Sequence, residues 1–248
     1  MDTLNYKFKI GLYPIPGIPL IKAGDDIAQI IYWYATDDGF VFQDHDVIVV
    51  THKIVSKAEN ACVKLSYITP SIYARELAEK TGRDPKLCQV YINESKEIIG
   101  INGRHVITRH RLGFVGTGAG VDSSNMSEGR VCLLPKDPDA SAREIRSGLK
   151  KLTKKELAVI ICDTFSTAYR NHSFSFAIGI AGIQPLPTRD TADLYGKAKQ
   201  TAAPQVDEIA VAAGMLMGQA NESVPGVIVR GVKYTVSEDA GIKDILVV

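Results

Sequence analysis

The densest chemistry in the chain lies between Gly116 and Asn125, which read GTGAGVDSSN. Gly116, Gly118 and Gly120 let a backbone turn sharply or approach a ligand closely. Asp122, Ser123, Ser124 and Asn125 follow at once and crowd carboxylate, hydroxyl and amide oxygens into one turn. Donors of this kind suit hard divalent cations such as Mg²⁺ or Mn²⁺, which commonly bring a phosphate with them. A second acid, Asp163, ends the apolar run LAVIIC of residues 157–162 and precedes Thr164. A carboxylate at the exit of a buried strand is costly unless it is paired or bound to a cation. It can be a metal ligand or, more simply, an N-cap or turn former; Asp122 and Asp163 at equivalent strand ends favour the metal.

A third set comes from DVIVVTHKIVS, residues 46–56, where an apolar strand emerges into a polar tail. The tail carries Thr51, His52, Lys53, Ser56 and then Lys57, at the kind of strand end that usually faces ligands in α/β proteins. Lys57 can bind phosphate or be a solvated strand-end lysine, and His52 can be a base or simply a donor. Together these groups predict metal-assisted phosphoryl transfer from a nucleotide, in which positioning and charge neutralisation do most of the catalysis. Several other sites are absent: the chain has no GxxxxGK[ST], no GxSxG and no HExxH, and GTGAGVD is not GxGxxG because its third glycine falls one position early.

Those side chains need elements to hold them. Phe114 and Val115 read as the end of a buried strand, and Val131 to Leu134 as a second strand leading into Asp137-Pro138-Asp139, a helix start. Asp25 or Asp26 can cap a helix with Ile27, Ile30, Ile31 and Tyr34 on one face. Two further helices follow Thr69-Pro70 and Asp84-Pro85, each with proline in its first turn, and Gly82 ends the first. Lys96 to Thr108 reads as a β-hairpin turning at Asn102-Gly103. A helix covers about Asp139 to Leu152, and the run from Leu157 to Cys162 is a fully buried strand. A strand from Phe174 to Ile180, a helix from Pro204 with Val206, Ile209, Ala210, Ala213, Leu216 and Met217 on one face, and a strand Val227 to Val229 complete the series. The tail after Tyr234 is weakly patterned and is expected to finish on the surface. The loop PIPGIPLIKAGDD, residues 14–26, is apolar yet unable to be regular; it packs on a core edge or wraps a flat ligand, and its residues alone favour packing.

Composition bounds the function classes. The chain has 248 residues, 45% hydrophobic and 23% charged, ordinary values for a soluble protein of one large domain or two small ones. With 29 basic against 28 acidic side chains it carries no phosphate-backbone footprint, so nucleic acid is not an expected partner. Cys62, Cys88, Cys132 and Cys162 form no CxxC pair, which points to reduced buried thiols rather than zinc or a disulfide framework. No apolar run reaches the ~18–20 residues of a membrane span, and MDTLNYKFKI has no signal core. A cytoplasmic protein is expected.

Across this frame PIPGIPLIKAGDD, VTHKIVSKAE, GAGVDSSN, LLPKDPDASAREIR, VIICDTF, AIGIAGI, DLYG, DEIAVAAGMLMGQANE and VPGVIVRG occur in order, from residue 14 to residue 231. In this the chain resembles the coenzyme F420:L-glutamate ligase family (CofE type). The resemblance implies an unusual mixed α/β ligase fold, with mixed sheets and flanking helices in one unit of two possible interleaved subdomains, and an intertwined homodimer. It implies use of GTP with two divalent ions per site, Mn²⁺ or Mg²⁺, aided by K⁺, to join L-glutamate to the carboxylate of the coenzyme precursor. Asp122 and Asp163 would share the first metal, with Thr164 and Gln219 serving the second. GTP would be held by Ile18, Pro19, Leu20 and Ile21, by His52, Lys57 and Asn125, and by the turn Met217, Gly218, Gln219, Ala220, Asn221, Glu222, Ser223 and Val224. This reverses the packing preference for the proline-rich loop.

The chain departs from the family pattern in three places. Ser166-Thr167 stands where a Gly-Arg pair is usual after Asp-Thr, Gly118 replaces an asparagine, and the segment between Asp193 and Asp207 is one residue short. These changes gather on the acceptor side. They leave open a relative that ligates an amino acid to another carboxylate, pterin- or folate-like, or a nucleotide-binding relative without catalysis.

Overall fold

The structure, a computed structural model, describes residues 9–166, 173–186, 195–197 and 203–246. In chain order its elements are β1 Gly11–Pro14, α1 Ile27–Asp37, β2 Val47–Thr51, α2 His52–Ala58, β3 Cys62–Lys64, α3 Ile72–Thr81, α4 Pro85–Glu94, β4 Ser95–Asn102, β5 His105–His110, β6 Val115–Thr117, β7 Arg130–Cys132, α5 Pro138–Thr153, β8 Ala158–Ser166, β9 Ser173–Ala181, α6 Gln205–Met217 and β10 Gly226–Arg230. The result is a mixed α/β fold with helices flanking sheets.

The main sheet runs β1-β10-β2-β8-β9. β2 and β8 pair in parallel, and the other neighbours pair antiparallel. Val47–Val50 and Ala158–Cys162 are buried at every position, which explains why VIVV and AVIIC are unbroken apolar runs rather than alternating ones. The helix α5 packs on β8, β9 and α1, while α6 lies against β9, β10 and β1. Caps fall where the sequence places them. Asp26 accepts the Gln29 amide at 3.0 Å, Asp137 accepts the Ala140 amide at 3.0 Å, and Pro138 and Pro85 open their helices. Gly179 lets the start of α5 press against β9, since a Cβ there would stand 2.5 Å from the Pro138 backbone.

A three-stranded sheet, β4-β5-β6, and the pair α3–α4 enclose a smaller second core of Ala74, Leu77, Ala78, Cys88, Tyr91 and Val106. The short pair β3–β7 forms a third sheet, extended by a bridge from Asp122 to Cys132.

Several expectations are corrected. The strand holding LAVIIC does not end at Cys162: β9 pairs with it as far as Ser166, so Asp163 sits within β8. The tail after Thr51 is the short helix α2. Pro70 lies outside α3, whose cap is Ser71. The hairpin turns at Gly103-Arg104, because Asn102 still pairs with His105 and Gly103 takes the left-handed conformation, φ +57°. Val115 is half-exposed on the edge strand β6, while Phe114 is buried. The strand expected at Val131–Leu134 is β7, Arg130–Cys132. The chain after Tyr234 returns to the core, burying Ala240 and Ile242. Two amides, from Ile180 and Ile242, fix this return by donating to the Asp139 carboxylate at 2.8 and 3.1 Å.

Candidate functional site

The site grows out of the parallel pair. Because Thr51 is paired with Cys162, the next residues, His52 and Asp163, meet at the carboxyl ends of two buried apolar runs. His52 Nε2 lies 3.2 Å from Asp163 Oδ1, and its Nδ1 lies 3.3 Å from Ser56 Oγ one turn along α2. The same carboxylate oxygen accepts the Thr164 amide at 2.6 Å. Opposite this step, Ile161 pairs with Gly179 but Cys162 pairs with Ala177, so Ile178 is an extra residue in β9. A bulge of this kind bends a strand and re-aims the side chains beyond it. Beyond it, Ser175 comes opposite Thr164.

Asp122 arrives from the other direction. Gly118, Ala119 and Gly120 take positive φ values of 62°, 51° and 64°, a tight left-handed turn. A Cβ on Gly120 would also stand 2.9 Å from the Leu134 side chain, so a larger residue is excluded twice. The turn delivers Asp122 against β7, where it exchanges backbone hydrogen bonds with Cys132 at 2.9 and 2.7 Å. Asp122 Oδ1 accepts the Ser124 amide at 2.6 Å, and Oδ2 accepts Ser124 Oγ at 3.1 Å. Lys53 donates to the same Oδ2 at 2.6 Å and to Ser124 Oγ at 2.7 Å. Burial alone would push the Asp122 carboxyl up; the Lys53 ammonium and the Ser124 donors outweigh it and hold the group below the usual carboxylate range.

Both acids line one cleft of about 530 Å³, a size ordinary for a small-molecule site. Its walls bring together segments far apart in the chain. All four residues of the proline-rich loop from Ile18 to Ile21 border it, as do His52, Lys57, Asn125, Thr164, Gln219 and the rest of the turn from Met217 to Val224 save Glu222. The packing reading of the loop holds for Ile18 and Ile21, which are buried in the core, while Leu20 stands 85% exposed. Three segments are tied across the mouth. Lys57 Nζ donates to the Asn125 carbonyl at 3.2 Å, and Asn125 Nδ2 donates to the Ala220 carbonyl at 3.2 Å. Glu222 is the exception among the expected residues. Its carboxylate accepts the Ala220 amide at 2.8 Å and holds the turn in shape, and that hydrogen bond keeps its pKa low.

Ser124 and Lys53, which the sequence offers among the oxygen donors and the ligand-facing tail without a settled role, border the cleft too, as do Ser166 and Ser175, which it does not assign to the site. Lys53 had a signal, its place beside His52 where a strand emerges. Ser175 had none, because only the pairing of β9 with β8 brings it there. Of the departures from the family pattern, Ser166 lines the cleft, whereas Thr167 lies outside the described residues. Cys162 is also at the wall, but burial pushes its thiol up to about 12, so it offers no thiolate.

The donor set fits a hard cation. Carboxylate, hydroxyl and amide groups border the one cleft, and the ammonium of Lys53 on Asp122 places a positive charge at that carboxylate. Among the described residues no three His, Cys, Asp or Glu side chains cluster as ligands, so a cation here would need other oxygens from hydroxyl, amide, water or phosphate. No helix among the described residues is long and apolar enough to cross a membrane.

Comparison with known proteins gives the chain a family. The family model described as F420-0:Gamma-glutamyl ligase matches residues 17–231. The chain is 42% identical over 240 residues to the coenzyme F420:L-glutamate ligase of Methanothermobacter thermautotrophicus, covering 96% of this chain and 95% of that protein. Against the enzyme of the same name from Methanopyrus kandleri it is 40% identical, covering 89% and 86%, and against that of Methanocaldococcus jannaschii 40% identical, covering 86% and 85%.

Proposed function

The chain belongs to the F420-0:gamma-glutamyl ligase family, and from that membership we propose how its cleft carries out the reaction. The protein is a GTP-dependent ligase that joins L-glutamate to the carboxylate of the coenzyme F420 precursor. One observation carries the assignment of the site: Asp122 and Asp163, 41 positions apart (163 − 122), border the same cleft beside the turn at Met217–Val224.

GTP lies along the cleft, between the loop Ile18–Ile21 and the turn Met217–Val224, with its phosphates toward the two acids. Lys53 and Lys57 bring two positive charges to that end, and Asn125 fixes the wall between them. Asp122 and Asp163 would hold one divalent ion, Mn²⁺ or Mg²⁺, and Thr164 with Gln219 would serve a second, with K⁺ as a third cation. Bound there, such ions neutralise the phosphate oxygens and so offset repulsion between an anionic acceptor and an anionic nucleotide. His52 positions Asp163 through Nε2 while Ser56 fixes the ring from its other side.

The bond changes need no side-chain nucleophile. A carboxylate oxygen of the acceptor attacks the γ-phosphorus, and GDP leaves as the acyl phosphate forms. The free amine of glutamate attacks the activated carbonyl, loses a proton and expels phosphate. What the protein supplies is alignment and charge, which account for most of the catalysis in such transfers. The active form is a homodimer with interleaved subunits, and the two hydrophobic cores are subdomains of one ligase unit.

Incubation of the protein with GTP, Mn²⁺, L-glutamate and the coenzyme precursor tests the reading. The expected result is GDP release with a product heavier by glutamyl units. GDP release that leaves the precursor unchanged would assign a different acceptor, and no nucleotide turnover would remove the ligase reading.

A further inference from the structure

Two cysteines behind the cleft are placed for chemistry that the ligase reaction does not use. Cys62 and Cys132 stand directly opposite each other where β3 pairs with β7. Cys132 turns both its amide and its carbonyl to Asp122 on its other side. The two cysteines are therefore a pair without ladder hydrogen bonds between them, and the Leu133 amide to the Ala61 carbonyl, 2.9 Å, is the flanking rung. Opposed residues of this type have Cα atoms about 4.5 Å apart and their side chains at closest approach. A disulfide spans Cα separations of about 4.4–6.8 Å, so the bond can form without moving either strand far. Both thiols are free; Cys132 is fully buried, while Cys62 is partly exposed and within reach of a reagent. Neither side chain lines the cleft.

The position gives the bond a consequence. The strand carrying Cys132 seats Asp122 through two backbone hydrogen bonds, and Asp122 in turn holds Lys53 and Ser124. Closing a disulfide onto β3 would fix the twist at Cys132, and even a small change there passes directly to Asp122 through those two bonds. We propose that Cys62 and Cys132 form a reversible cross-strand disulfide through exchange with a small-molecule disulfide, and that its formation lowers ligase turnover by displacing Asp122. The second half rests on Asp122 being a metal-site residue.

The exchange balances. Cys62 Sγ, as thiolate, attacks one sulfur of the small disulfide and releases one small thiol, leaving a mixed disulfide on Cys62. Burial pushes the Cys132 thiol up to about 12, so it passes its proton to the departing small sulfur as Cys132 Sγ attacks Cys62 Sγ, and the second thiol is released. The protein loses two hydrogens, and the small disulfide gains them as two thiols.

The test uses the whole protein exposed to oxidised glutathione, quenched in acid, alkylated, digested and weighed. The expected result is a linked peptide pair containing Cys62 and Cys132. Turnover falls about tenfold or more, the scale seen when supports of metal ligands are lost, and a dithiol restores it. Cys62→Ser, or Cys62→Ala should the serine variant fold poorly, keeps its turnover with and without oxidised glutathione. A reaction that stops at the mixed disulfide on Cys62, or yields no linked pair, overturns the pairing. A linked pair with unchanged turnover overturns the switch. An Asp122→Asn enzyme with full activity would instead refute the metal-site reading and leave the linked-peptide result standing.

Discussion

Lys53→Met isolates the charge balance at the site without nucleotide or metal. Lys53 Nζ lies 2.6 Å from Asp122 Oδ2, with side chains only 19% and 30% exposed. At an effective dielectric of about 20, two unit charges at that distance attract by about 6 kcal/mol before desolvation is counted. Desolvation and the ordering of a long side chain cancel much of it. Exposed pairs retain about 0–1 kcal/mol, and breaking a fully buried one costs about 3–5. For this partly buried pair, with Ser124 still donating to the carboxylate, the variant should lose about 1–3 kcal/mol at neutral pH. The sign of the pH dependence follows from the folded-state carboxyl, which lies below its ordinary value. Its contribution is fully present above the unfolded pKa of about 3.9 and disappears as pH falls through the folded value. Lys53→Met lacks that contribution, so the gap between the two proteins should be level from pH 7 to about pH 4 and narrow as pH falls below the unfolded value of about 3.9. Urea unfolding across that range measures the gap. A difference that stays constant with pH would mean that the Lys53–Asp122 pair is not its source, and no difference at any pH would refute the strength assigned to it.

Two further outcomes follow from single contacts. Asp163→Asn keeps the size of the side chain and removes its charge, so the protein should remain folded by circular dichroism while GDP release falls at least about a hundredfold, near 2.7 kcal/mol of barrier; full activity would take Asp163 out of the site. Arg146 donates to the Leu157 carbonyl at 2.6 Å and to both oxygens of Glu238, which anchors the returning tail. Since Glu238 is largely exposed, the cost of Arg146→Met should come from the unpartnered carbonyl, about 1–3 kcal/mol, with earlier protease cleavage after Tyr234.

What could be read in advance was the chemistry of short segments. The caps at Asp26 and Asp137, the buried runs of β2 and β8, and the polar residues after them were plain because each depends on neighbours in sequence. What could not be read depended on partners elsewhere. LAVIIC looks like a strand ending before an acid, yet β9 carries the pairing on to Ser166, and the bulge at Ile178 decides where Asp163 and Ser175 stand. The tail after Tyr234 lacks periodicity because Asp139 and Arg146, on α5, hold it rather than any regular ladder. Glu222 sits in a segment whose other residues line the cleft, but its carboxylate serves the local turn. The proline-rich loop offers two readings because its residues divide, with Ile18 and Ile21 buried and Leu20 exposed.

Crystals grown with Mn²⁺ and a non-hydrolysable GTP analogue, with anomalous scattering recorded at the manganese edge, test the central claim most directly. The account predicts a manganese peak touching carboxylate oxygens of both Asp122 and Asp163 and a phosphate oxygen, at the about 2.0–2.2 Å typical of small hard divalent ions. A nucleotide bound with its phosphates elsewhere, or a peak that contacts neither acid while Lys53 still occupies Asp122, would contradict it.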